Sequence, residues 1–444
     1  MIDPRLKLVD FFRKTDALNI YQKELKETQF FTKSQLQELQ WSRLFSLLHH
    51  VYEQVPYYRK IFDERGLKPN DFKSLEDLDK LPILTKKDIR ENYSQLLAKN
   101  INIYKPRIIT SGGSTGKPIR FFVDSLTNGY QWADAYRGQI WGGWQFGDRI
   151  ARIWGSSVLS LQKPFQKKIY GTLNNWLLLP AFDSGMGQME KWIKLIRSQK
   201  IRFISGYVDT MVDFSRFVIQ QKLQTHLVAA FPTTAPLTIS GRRLIEKAFA
   251  CGIFDLYQSA DGGISAIECH QHKGLHLAEE RCVLEIPKNS LQNDIPVIVT
   301  DLFNYSMPFI RYLNGDEVTI TRENCACGRE SLLIKQIRGK TYHHIKLPNG
   351  KLIHSEIFSY YLNNFLIVKH FCAKQVSNKR IILEICLDDH FIDQKIDFEK
   401  SIRNLPKSLP GIEIDIQYVE KINKLPNQKY EIYIPLSKDG NHNG

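Results

Sequence analysis

The chain has 444 residues, too long for one ordinary hydrophobic core, so a large domain with a smaller companion is expected. With 43% hydrophobic and 24% charged residues it reads as globular, which excludes wholesale disorder, and no apolar run approaches a membrane span. A formal net charge of +14 points to anionic partners such as nucleotides or coenzyme A. The lysines and arginines are spread along the chain with no arginine-rich arm, so nucleic acid is not expected. The first residues lack the cationic start and apolar core of a signal peptide, and the seven cysteines, an odd number, read as thiols or metal ligands. A cytoplasmic location is the expectation.

In chain order, residues 1–100 read as helical. Leu6–Lys14 is basic and amphipathic, suited to pack on its own domain or to touch a membrane surface peripherally. Ser34–Leu48 repeats apolar residues at three-and-four spacing, with Thr32 or Ser34 as cap. Val55–Arg59 and Leu81–Asp88 read as turns, the second capping a short helix at Thr85. Ile108–Val123 then holds a Gly/Ser/Thr-rich loop with one lysine between two short apolar runs. Past it, Arg149–Trp154, Phe203–Ile204 and Phe254–Leu256 read as strands, and 187–198, 209–220 and 240–251 as helices. This alternation predicts an α/β core with substantial parallel sheet and a ligand beyond the strand ends. The composition shifts near Gly339. Beyond it, Lys379–Leu387, Ile412–Val419 and Tyr430–Ile434 alternate as strands around a helix at Asp397–Leu405, a small α+β domain, and Ser437–Gly444 reads as a disordered tail.

The loop is built to take polyphosphate. Thr110, Ser111, Gly112, Gly113, Ser114, Thr115, Gly116 and Lys117 combine unhindered backbone amides, hydroxyls and one cation. It is not the common nucleotide loop, since Ser111 stands where that motif needs Gly and Pro118 where it needs Ser or Thr. Pro118 disfavours helix at Lys117, so the loop leads into a second strand, Ile119–Val123.

Several segments resemble the phenylacetate–CoA ligase family of adenylate-forming enzymes and its CapK-like relatives encoded with capsular polysaccharide genes. These are Trp41–Leu44, Val55–Arg59, Leu75–Asn92, the loop Thr110–Pro118, and Thr300–Asp316. The likeness runs from about Trp41 to Lys429. It implies an α/β fold: a large multi-layer N-terminal domain of the adenylate-forming type, 1–338, and a small mobile α+β lid domain, 339–444. The implied activity is a ligase that activates a carboxylic acid with ATP, releasing pyrophosphate. It then passes the acyl group to coenzyme A or to a sugar amine or hydroxyl.

In that reading the loop holds the β- and γ-phosphates, Tyr257 stacks on adenine, Asp261 supports Mg²⁺, and Asp316 accepts the ribose hydroxyls. Lys429, or alternatively Lys424, approaches the α-phosphate, and Lys340 stands in the hinge segment 339–343. Each has a plain alternative: Asp316 as a turn acid after Gly315, Lys429 as a solvated charge, Arg311 as an ion-pair partner rather than a ligand contact. The family's Tyr-Gly-x-Thr/Ser-Glu motif is Tyr257–Asp261 here, with Ala260 for the hydroxyl and Asp261 for Glu. The hinge acids are absent from 339–343, and Gln428 precedes Lys429. These changes support a second reading, a nucleotide-binding or scaffolding protein without turnover.

A further group, Cys269, His270, His272 and His276 followed by Cys325 and Cys327, offers preferred zinc ligands, and Gly328 lets the Cys-x-Cys knuckle turn. Some members of the resembled family carry such a site with a Gly-x-His after the first cysteine. The resemblance therefore implies structural Zn²⁺ on Cys269, His276, Cys325 and Cys327, with His270 and His272 as competitors. Cys251, Cys282, Cys372 and Cys386 read as small core residues. Of the aromatic group Tyr136, Trp141, Trp144, Trp154, Trp176 and Tyr207, Tyr207 is the candidate for an acyl pocket.

Overall fold

A computed structural model describes residues 4–13, 15–110, 119–155, 171–181, 185–286, 295–321, 323–338, 344–423 and 431–436. The N-terminal third is helical, as the apolar spacing predicts. Lys33–Gln54 starts at Thr32, not Ser34. The Gln35 N–H donates to Thr32 Oγ1 at 3.3 Å and the Thr32 N–H to Gln35 Oε1 at 2.9 Å, a reciprocal cap. Val55–Arg59 is not a turn: Pro56 opens the helix Pro56–Glu64, where a first-turn residue has no helical partner for its N–H and proline loses nothing. Thr85 caps Lys86–Glu91 as expected. The basic N-terminal segment packs on its own domain. Val9 is buried, and Arg13 donates to the Tyr136 hydroxyl at 2.8 Å and stacks on Trp132 at 3.6 Å.

β1 (Arg107–Thr110) and β2 (Arg120–Val123) form an antiparallel hairpin, the strand–loop–strand arrangement read from the sequence. The large sheet begins with β3 (Ile150–Trp154), β4 (Trp176–Pro180), β5 (Phe203–Tyr207), β6 (Ala229–Thr233), β7 (Gly252–Ile253) and β8 (Leu256–Gln258), all paired in parallel. The expected strand Phe254–Leu256 is thus two short strands on either side of Asp255. Helices Met186–Ser198, Val208–Gln220 and Ile239–Phe249 make the crossovers. Residue parity sorts the faces: Ile150, Phe203 and Ala229 point into one core, Ala151, Ile204 and Ala230 into the other.

The sheet continues antiparallel through β9 (Ser265–Glu268), β10 (Leu275–Leu277), β11 (Cys282–Leu284), β12 (Ile295–Asp301), β13 (Tyr312–Thr321) and β14 (Leu333–Arg338). The order is β11-β12-β13-β14-β10-β9-β8-β6-β5-β3-β4, with β7 beside β6. β8 and β13 lie four strand steps apart, yet Tyr257 and Asp316 hydrogen-bond to each other. A flat sheet would separate them by about 19 Å, so this half curls back on itself.

The C-terminal residues form a smaller α+β domain. A short hairpin, β15 (His344–Lys346) with β16 (Leu352–His354), precedes a sheet of β17 (Val368–Ser377), β18 (Arg380–Leu387), β19 (Glu413–Tyr418) and β20 (Tyr433–Ile434), ordered β19-β18-β17-β20. Phe358, Phe371, Leu383, Phe398 and Tyr433 fill its core. The sequence reading missed β17. Its Ala373 and Gln375 are weak strand formers, and the strand is held by partners on both edges. The expected disordered tail, Ser437–Gly444, lies outside the described residues.

Candidate active site and metal centre

The β1–β2 register pairs Thr110 with Arg120, so the hairpin brings together the two ends of the phosphate loop. Residues 111–118, with Lys117, lie outside the described residues, as do Lys340, Lys424 and Lys429. The base of the hairpin is stitched to residues 304–306. Asp124, directly after β2, accepts the Tyr305 N–H at 2.7 Å and the Ser306 N–H at 3.2 Å. Asn304 accepts the Asp124 N–H at 3.1 Å and donates to the Phe122 carbonyl at 2.9 Å. Burial pushes the Asp124 carboxyl up to about 6, against the hydrogen bonds that favour its charge. The sequence reading overlooked Asp124. An acid between a strand and a helix looks like a cap, but this carboxylate makes no cap bond and turns to residues 305–306.

Tyr312, Asn314 and Asp316 stand two apart on β13 and therefore on one face. The Tyr257 hydroxyl donates to Asp316 Oδ2 at 2.7 Å, and Asn314 Nδ2 lies 3.2 Å from that hydroxyl and 3.3 Å from the same carboxylate oxygen. Asp316 sits inside a strand, buried, so it is no turn acid. Burial and the Asp316 charge together hold the Tyr257 phenol well above its usual range, so it stays a donor. Asp261 occupies the tip between β8 and β9. Ser259 Oγ donates to its Oδ1 at 2.5 Å and the Tyr312 hydroxyl to its Oδ2 at 3.0 Å. Gly262 and Gly263 follow at φ +85° and +71°. A Cβ on Gly263 would stand 2.3 Å from Asp301 Oδ2, so only glycine fits. A single buried carboxylate suits Mg²⁺, which keeps waters and takes further oxygens from phosphate.

Arg311 is a structural ion pair, gripping Glu285 through Nε at 2.9 and 3.0 Å and through Nη2 at 2.8 Å. At the C-terminal edge of the parallel strands, Trp154 and Tyr207 meet with ring centroids 5.0 Å apart, both half-buried. Tyr136 and Trp144 are core, stacked at 5.9 Å.

Cys269, His276, Cys325 and Cys327 converge, their ligand atoms all within 4.8 Å of one another. Cys269 Sγ is 3.6 Å from Cys325 Sγ, and Cys327 Sγ is 3.3 Å from His276 Nε2. Those separations match the edges of a tetrahedron with bonds of about 2.0–2.3 Å to zinc. His276 Nδ1 is 3.0 Å from Ser331 Oγ, which leaves Nε2 facing the thiols. Burial, with Arg329 and Arg137 nearby, lowers His276 to about 4, so its ring is neutral and able to ligate. Of the competitors, His272 pairs with Glu268 at 3.0 Å and His270 is exposed. Trp141 packs edge-on against His276. Cys282, Cys372 and Cys386 are buried elsewhere, whereas Cys251 is only half-buried at the edge of a core.

The fold is that of the adenylate-forming ligases. 2-Hydroxyisobutyryl-CoA ligase in its postadenylation state, bound to 2-HIB-AMP, superposes with a TM-score of 0.72 at 16% identity, covering 92% of this chain and 91% of that one. The same protein in its thioesterification state, with 2-HIB-AMP and CoA, superposes at 0.58. In sequence the chain is similar to the phenylacetate–CoA ligases and to CapK. It is 26% identical to the phenylacetate–coenzyme A ligase of Thermus thermophilus over 347 residues, 72% of this chain and 73% of that protein. It is 23% identical to Protein CapK of Staphylococcus aureus over 429 residues, 94% and 92% of the two chains. No protein-family model matches the chain. Among the described residues, no helix is long and apolar enough to cross a membrane.

Proposed function

We propose that the protein joins a carboxylic acid to AMP at the expense of ATP and then transfers the acyl group to coenzyme A or another acceptor. The observation that carries this reading is the cluster of Tyr257, Asn314, Asp316 and Asp261 on the curled sheet, beside a hairpin base pinned to the same segment by Asp124. Asp316, held by Tyr257 and Asn314, would accept hydrogen bonds from the ribose hydroxyls. Ser111–Lys117 would hold the outer phosphates, and Tyr257 would lie along the adenine. Asp261 would hold Mg²⁺, which supplies neutralising charge to the phosphates.

A carboxylate oxygen of the acid attacks the α-phosphorus, the bond from that phosphorus to the pyrophosphate oxygen breaks, and pyrophosphate leaves as the acyl-adenylate forms. Lys429 of the small domain, residues 339–444, would meet the charge developing on the α-phosphate as a point cation. The acceptor thiol, amine or hydroxyl then attacks the acyl carbon and AMP leaves. The likeness to CapK along nearly the whole chain is the reason to include sugar amines and hydroxyls among the acceptors. The better superposition on the postadenylation form of the 2-hydroxyisobutyryl-CoA ligase supports a seating of the small domain suited to the first half-reaction. The metal centre would hold structural Zn²⁺ with no open position for chemistry.

Titration calorimetry of Mg-ATP, with Lys117→Ala and Asp316→Ala beside the native protein, tests the reading. Expected are a dissociation constant in the micromolar-to-millimolar range, each substitution weakening it about tenfold or more, and acid-dependent pyrophosphate release. Mg-ATP binding without release for any of a broad panel of acids would favour the scaffolding reading, to which Ala260 and the missing hinge acids point.

A further inference from the structure

The small domain does not simply rest on the large one. Arg216, on the helix Val208–Gln220 and almost fully buried, reaches across and makes its hydrogen bonds in the other domain. Its Nη1 lies 2.7 Å from Asp388 Oδ2 and donates to the Leu366 carbonyl at 3.0 Å, while Nη2 donates to the Val368 carbonyl at 2.8 Å. Around it, Val212 and Ile219 of the same helix and Leu244 of the next join the apolar core built by Phe371, Leu383 and Phe398. Asp213 and His370 face each other at 3.5 Å, and Phe391 lies 5.9 Å from Arg216 and 4.9 Å from Lys247.

Apolar contact alone is non-directional and lets two surfaces slide. A guanidinium fork ending on one carboxylate and two carbonyls two residues apart fixes a single register. Because the pair is buried, deleting the guanidinium while the domains stay seated leaves Asp388 without its main cationic partner, a larger loss than removing one side of an exposed pair.

We propose that Arg216 is a positioning residue for adenylate formation. Its fork seats the small domain on the helix Val208–Gln220 in one defined orientation for the first half-reaction. This rests on the ligase reading above, but the seating itself is read independently of activity.

The test uses the full chain with Arg216→Met, which keeps the aliphatic stem and removes the fork, and Arg216→Lys as the conservative variant. Acid-dependent pyrophosphate release is expected to fall at least about tenfold in Arg216→Met, through loss of alignment. Mg-ATP affinity, set within the large domain, is expected to stay within about twofold. The lysine variant should recover part of the rate. Small-angle scattering should show a larger radius of gyration for Arg216→Met at unchanged helix content by circular dichroism. An unchanged rate in a folded Arg216→Met protein would overturn the proposal, and so would a fall in Mg-ATP affinity matching the fall in rate. If the native protein releases no pyrophosphate the ligase reading fails on its own. In that case an unexpanded Arg216→Met protein would also sink the seating, and an expanded one would sustain it.

Discussion

Replacing Cys325 by Ser removes one thiolate from the metal centre and is the sharpest test of what holds β9, β10 and β14 together. Cys269 and Cys325 are 56 positions apart, and a permanent crosslink across such a loop is worth about 4 kcal/mol in chain entropy. Pairing of β10 with both β9 and β14 already closes most of that loop, so the share left to the metal is roughly 1–2 kcal/mol. That corresponds to a fall of about 1–3 °C in the unfolding transition of a large domain of this size. The native protein should carry one zinc per chain by plasma emission, released by a thiol-modifying mercurial. Cys325→Ser should carry well under one, while Cys372→Ser, altered in the small domain, should keep the full equivalent. Native protein purified without zinc, or a Cys325→Ser protein with a full equivalent and an unchanged transition, would refute the reasoning.

Two further outcomes follow from the same geometry. Tyr257→Phe keeps the ring but deletes a hydroxyl that donates to a buried carboxylate at 2.7 Å, and should weaken Mg-ATP binding by about 1–3 kcal/mol, read by calorimetry, whereas a site in which only stacking counts would lose almost nothing; unchanged affinity would remove the Tyr257–Asp316 bond from the nucleotide site. Asp124 has a folded-state pKa of about 6, above the usual carboxylate value near 4, so its charge opposes folding once it forms. The folded state binds the extra proton between about pH 4 and 6, and the contribution is lost as pH rises through that window. Urea unfolding of Asp124→Asn should therefore show a shallower fall in stability from about pH 4 to about pH 6 than the native protein, even though the amide makes poorer bonds to residues 305–306; parallel profiles would contradict the burial argument.

Much of this was legible from residue types and spacing. The hairpin around the phosphate loop announced itself through glycines, hydroxyls and Pro118, because a loop of that composition has few other uses. The helix starts at Thr32 and Thr85, the βα alternation and the Cys-x-Cys knuckle are local patterns, each enforced by chemistry within a few residues; the choice of Cys269 and His276 as partners of the knuckle came from the family resemblance. Val55–Arg59 was misread because proline marks turns and helix starts alike. β17 was missed because its order comes from neighbours on both edges rather than from its own side chains.

What composition and local spacing determined, then, was the α/β class, the Gly/Ser/Thr-rich loop and the Cys and His residues available as ligands, since each depends on residues close in the chain; the ligase reading came from the family resemblance. Only the tertiary structure decided which of three histidines faces the thiols, that Arg311 is tied to Glu285, that Asp124 anchors residues 304–306, and that Arg216 belongs to the core of another domain. Those contacts join positions dozens to hundreds of residues apart. They exist because the sheet curls and the small domain packs onto one helix, and no local pattern carries the distance between strands that meet only after folding.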